Sequence, residues 1–83
     1  PLAEEGVRIN AIAPGNIVFD DSVWDRKLKE DKERVELMLK QNVSLKKLGK
    51  PEDITDIVLW LSSTKANFVT GSIFVVDGGQ IRS

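Results

Sequence analysis

The run Ser72-Ile73-Phe74-Val75-Val76-Asp77, closed by Gly78-Gly79, constrains the fold more than any other segment of the chain. Its four consecutive apolar residues, three of them β-branched, lack the alternation of a strand with one wet face. They predict a strand buried on both faces, as in a parallel sheet. Such a strand needs neighbours. One is predicted over Val7–Ala13, where apolar side chains at 7, 9, 11 and 13 flank Arg8 and Asn10, with Ile12 as the exception to the period of two. Pro14-Gly15 then ends it in a turn, because proline brings no ladder N–H and glycine opens backbone angles closed to other residues.

Parallel strands require a long crossover, and the segment between these two is helical in pattern. From Asp21 or Ser22 to about Gln41 the chain is dense in charge. Opposite signs recur four apart at Asp25/Lys29, Glu30/Arg34 and Glu36/Lys40 and, reversed, at Lys29/Glu33, each pair adding ~0.2–0.5 kcal/mol to an exposed helix. Leu28, Val35, Met38 and Leu39 form only a narrow apolar stripe, so this helix or pair of short helices is expected to cover something without being buried itself. Gly49-Lys50-Pro51-Glu52-Asp53 opens a second helix, with proline in the first turn and two carboxylates at the positive end of the dipole. Ile54, Ile57, Val58 and Leu61 give that helix a packing face, widened by Trp60. Pro1–Glu5 followed by Gly6 reads as the last turn of a helix with a glycine cap, so the chain is expected to start in mid-element. Helix end, strand, helical crossover and strand make one βαβ unit.

Composition excludes several functions. Twelve basic and thirteen acidic residues leave a net charge of −1, which offers no footprint for nucleic acid and no polybasic membrane patch. With no Cys and no His, there is no thiolate, imidazole base or disulfide, and the usual structural zinc sites are excluded; metal could enter only through carboxylates, and no metal site is expected. Asp20 and Asp21 form an acidic pair, read as helix caps rather than as a metal or acid/base dyad. Neither a signal peptide nor an apolar run long enough to span a bilayer is present, so a cytoplasmic setting is expected. At 83 residues and 41% apolar, the core residues suffice in number for one small domain. The sheet they belong to needs more strands than the chain supplies, so the chain is read as part of a larger α/β domain.

Three segments in order carry a resemblance that extends over nearly the whole chain: GVRINAIAPG at 6–15, LGKPEDITDIVLWLSS at 48–63 and NFVTGSIFVVDGG at 67–79. Together they resemble the C-terminal third of a classical short-chain dehydrogenase/reductase. The resemblance implies an α/β fold, the C-terminal βαβ part of a doubly wound parallel-sheet, Rossmann-type domain. Residues 1–83 would be the C-terminal segment of that domain, with 19–47 as its substrate lid. The family's glycine-rich phosphate loop and its catalytic tyrosine have no counterpart here, Tyr being absent altogether. The segment alone is therefore expected to be inactive.

By the same resemblance, the loop Pro14-Gly15-Asn16-Ile17 would lie beside the nicotinamide of NAD or NADP, with the backbone at Ile17 hydrogen-bonding the carboxamide. Read without the resemblance, Pro-Gly simply ends a strand. Many members carry a threonine two residues after the Ile/Val, where this chain has Phe19, so that contact is lost or replaced. Phe19 and Trp24 either line an apolar substrate mouth or pack beneath the charged helices. The implied parent is an NAD(P)-dependent oxidoreductase interconverting a carbonyl and an alcohol of a small-molecule substrate. It would assemble as a homo-oligomer, tetramer or dimer, through the second helix and last strand. The alternative is a non-catalytic interaction module that pairs with subunits of this family.

Overall fold

A computed structural model describes residues 2–81. A short 3-10 turn, Leu2–Glu5, leads through Gly6 at φ +80° into an extended segment, so the glycine exit from a helical turn is present. Pro1 lies outside the described residues. Strand β1 is Ala11–Pro14, followed by helices α1 (Val23–Glu30), α2 (Lys32–Asn42) and α3 (Pro51–Leu61), a 3-10 turn at Thr64–Ala66 and strand β2 (Ile73–Val76). The two strands pair in parallel, Ala11 beside Ile73 through Pro14 beside Val76. The helices between them form the crossover.

The first strand differs from the expected Val7–Ala13. Val7–Asn10 is not strand: one backbone bond remains there, Gly71 N–H to Ile9 O at 2.7 Å, and side chains supply the rest. The Asn10 amide donates to Val69 O (3.1 Å) and accepts from Ser72 N–H (3.1 Å), while Thr70 Oγ1 accepts from Ile9 N–H (3.1 Å). Arg8 donates to Leu61 O at 2.7 Å and to Val69 O at 3.1 Å, fastening the end of α3 to the start of the sheet. Pro14 belongs to β1. The N–H groups of Ala11 and Gly15 donate to Ser72 O and Val76 O, and the alternation of a parallel ladder turns the Pro14 nitrogen to the other edge, where its missing donor costs no bond to β2.

The expectation that β2 is buried on both faces is corrected. Phe74 and Val76 are half-buried, and Phe74 meets Trp60 of α3 edge-on at 6.4 Å, but Ile73 and Val75 on the opposite face are 71% and 56% exposed. No further strand or helix covers that face among the described residues. The packing face of α3 is likewise half-formed: Ile54, Ile57 and Leu61 are partly buried, whereas Val58 is exposed.

A buried cluster forms where the sequence suggests little burial. Val35 and Leu39 of α2 join Val43 in a buried cluster against which Trp24, Leu28, Met38 and Leu48 pack. The charged region is thus anchored by its own small core. It is two helices, broken at Asp31, whose N–H closes α1 on Lys27 O and whose carboxylate accepts from Arg34 N–H to open α2. The break separates the expected Glu30/Arg34 and Lys29/Glu33 partners. The ion pairs among the described residues are Lys29–Asp25 at 3.2 Å and Lys32–Glu36 at 3.8 Å, so Glu36 turns back instead of toward Lys40. Neither Asp20 nor Asp21 caps α1. Ser22 does, its buried Oγ accepting from Asp25 N–H at 3.1 Å.

Candidate functional site

The turn Pro14–Ile17 leaves the C-terminal end of β1, the side on which open α/β sheets bind their ligands. Three successive residues hold it, each by a different means. A Cβ on Gly15 would stand 2.6 Å from Asp77 Cβ and 2.7 Å from Asp77 Cα, so the glycine is required by the close approach of β2. Its need is met within the chain. The Asn16 amide donates to Gln80 Oε1 at 2.9 Å. Ile17 forms an isolated parallel bridge with Gly49, in which Gly49 N–H donates to Asn16 O (2.9 Å) and Val18 N–H to Gly49 O (2.8 Å).

That bridge has a consequence for Ile17 itself. In a parallel ladder the central residue of a bridge turns its own N–H and C=O away from the partner strand. Accordingly, neither group of Ile17 is hydrogen-bonded among the described residues. A donor and an acceptor on one fixed residue match the two halves of a primary amide. Gly49 permits the arrangement, since a Cβ there would meet Ile17 Cδ1 at 2.6 Å. A cavity of about 230 Å³ opens beside the turn, lined by Asn16, Ile17, Leu48, Gly49, Asp53 and Asp77 among others.

The remaining site candidates separate. Phe19 is 55% exposed two residues beyond Ile17, its N–H bonded to Ser22 Oγ. Trp24 packs against the Val35–Leu39–Val43 cluster on one side, and the Lys27 ammonium lies 4.5 Å from its ring centroid. A groove between α1 and α2 runs along Trp24, Lys27, Arg34 and Met38. At the start of α1, the Asp21 N–H holds the Asp25 carboxyl below its usual pKa, with Lys29 adding to the effect.

Sequence reasoning missed Gly49 and Gln80. Gly49 stands in a recognised segment, where its local signal is that of a helix opening. Gln80 carries no signal, because its partner Asn16 is 64 residues away. The last turn also fastens the segment after α2: Gly78 O and Gly79 O accept from Leu45 N–H and Ser44 N–H, and Val43 pairs antiparallel with Gln80. No helix among the described residues is long and apolar enough to cross a membrane.

Residues 1–80 match the protein family described as enoyl-(acyl carrier protein) reductase. Glucose 1-dehydrogenase 2 of Bacillus subtilis (strain 168) is 42% identical over 78 residues, covering 94% of this chain and 28% of its relative. Dehydrogenase/reductase SDR family member 4 of Homo sapiens is 41% identical over 78 residues, covering 94% and 27%. Among solved structures, a 4-hydroxyisoleucine dehydrogenase mutant complexed with NADH and succinate superposes with a TM-score of 0.79 at 37% identity, over 95% of this chain and 31% of that one. L-sorbose reductase from Gluconobacter frateurii, complexed with NADPH and L-sorbose, gives 0.80 at 25% identity, over 99% and 34%. The chain therefore spans between about a quarter and a third of the length of these relatives. Parallel sheet, crossover and sequence agree with the comparisons, and the chain belongs to the short-chain dehydrogenase/reductase family.

Proposed function

We infer that this chain is the C-terminal part of an NAD(P)-dependent oxidoreductase that interconverts a carbonyl and an alcohol of a small molecule. Pro14, Gly15, Asn16 and Ile17 form its nicotinamide-side loop, and residues 19–47 form its substrate lid. The observation that carries this reading is the free N–H and C=O of Ile17, fixed at the C-terminal end of a parallel strand by the bridge to Gly49. These two groups would orient the carboxamide of the cofactor, which when bound supplies or accepts the hydride. Exposed Phe19 would border the substrate mouth, and Trp24 would support the lid from its core. The cytoplasm is the proposed setting. Without tyrosine the chain holds no acid of the family's kind and is inactive alone.

The test substitutes Ile17→Pro in the whole protein that carries this segment. Proline removes the unused N–H and leaves both ladder bonds to Gly49 intact, so NADH or NADPH affinity is expected to fall about ten-fold or more, given one lost hydrogen bond and altered ring packing. Ile17→Val is the control that keeps the N–H. Equal cofactor affinity in the two variants would overturn the loop's role. A second reading, an interaction module pairing with subunits of this family, is favoured by the open face of Ile73 and Val75 and by Leu59, 63% exposed on α3. The same face would serve a homo-oligomer.

A further inference from the structure

The Asn16–Gln80 hydrogen bond is the only side-chain bond to loop residues 14–17 among the described residues. Gly15 is held by steric fit and Ile17 by backbone pairing, so neither is held by a side-chain hydrogen bond. Gln80 belongs to two structures at once. Its backbone pairs with Val43 at the base of α2, flanked by Ile81 N–H to Asn42 O (2.7 Å) and Ser44 N–H to Gly79 O (3.1 Å). Its side chain reaches the loop. Asn16 in turn supplies the carbonyl to which Gly49 N–H donates, so its orientation sets the peptide that leads into Ile17.

We propose that Gln80 is a positioning residue for the cofactor-facing loop, joining it through Asn16 to the base of the lid helices. This rests on the reading of residues 14–17 given above. Any displacement of the α2 C-terminus carries Gln80 with it, and the Asn16 amide follows. Both residues are half-buried, so water competes incompletely for their bond. Loss of the acceptor frees Asn16 to rotate and blurs the direction of the Ile17 donor and acceptor.

The experiment titrates NADH and NADPH into the whole protein and its variants. Gln80→Leu is expected to weaken binding of the preferred dinucleotide about three- to ten-fold, the effect of one neutral hydrogen bond. Gln80→Glu keeps an acceptor and is expected to remain within about two-fold. Asn16→Ala removes the same bond from the loop side, and the double variant Asn16→Ala/Gln80→Leu should bind no worse than the weaker single variant. Hydrogen exchange without cofactor should quicken at the Gly49 amide, which donates to Asn16 O, in Gln80→Leu and not in Gln80→Glu. Equal affinities for Gln80→Leu and Gln80→Glu, or additive losses in the double variant, overturn the positioning role while leaving the loop's function standing. If the unsubstituted protein binds neither dinucleotide, the loop reading fails, and this proposal with it.

Discussion

Single residues in this chain answer to contacts far away in sequence. Gly15 has no positive φ to explain it; Asp77, 62 positions later, fills the space where its Cβ would be. Gly15→Ala should therefore cost about 1–3 kcal/mol through displacement of the β1–β2 ends, read as a lower denaturant midpoint of the whole protein. Wild-type stability in that variant would show that Asp77 moves aside freely. For the same reason, a bulky residue at position 15 cannot by itself report on cofactor approach. Arg8 is a clamp. Removing its guanidinium leaves Val69 O with the Asn10 amide but deprives Leu61 O, at the negative end of α3, of its cation. Arg8→Ala is expected to lower stability by about 1–2 kcal/mol, and Arg8→Lys, which cannot reach both carbonyls at once, to recover part of that. Unfolding titrations of the three proteins decide the matter.

Elements were legible in the sequence where their signals are local. Pro51 in the first turn of α3 and Asp53, whose carboxylate takes the Lys50 N–H at 2.7 Å, act within four residues of each other, and the β-branched run of β2 is its own evidence. The beginning of β1 was hidden because Arg8 and Asn10 find partners 53 to 62 positions away. The small core was hidden because four of its seven members lie off α2: Val43 and Leu48 follow it, and Trp24 and Leu28 come from α1. Leu39→Ala should cost about 2–4 kcal/mol, more than the same truncation at exposed Leu37, and unfolding midpoints would check the contrast. At the start of α1 the sign of the pH effect follows from Asp25. Its folded pKa is lowered by the Asp21 N–H and then by Lys29, so the stabilisation is complete above the ordinary carboxylate value and fades as pH falls through the lowered one. The Asp21 amide resonance should shift in that acid window, and Asp25→Asn should abolish the shift.

The molecule as a whole is extended. Its radius of gyration is 16.0 Å, against about 12 Å for a compact globule of this length, and its principal extents are 51 × 27 × 20 Å. Two anchored parts account for the shape: the α1–α2 core around Val35, Leu39 and Val43, and a two-stranded sheet with α3 on one face. They are joined by the Gly78–Ile81 turn against Asn42–Leu45 and by the Ile17–Gly49 bridge. Ile73 and Val75 on the face away from α3, together with Leu59 on α3 and Ile9 before β1, at 63% and 58% exposed, leave large apolar side chains open to solvent, as at interaction surfaces. An open parallel edge beside such a face pairs readily with a copy of itself. The isolated chain is thus expected to self-associate with rising concentration, measurable by sedimentation velocity, while retaining the α1–α2 core. Ile73→Thr/Val75→Thr should reduce the association without loosening that core, because neither residue touches Val35 or Leu39. A monodisperse monomer with slowly exchanging β1 and β2 amides would mean that two strands suffice. It would count against a larger sheet and, with it, against the proposed place of this chain at the C-terminal side of a complete enzyme.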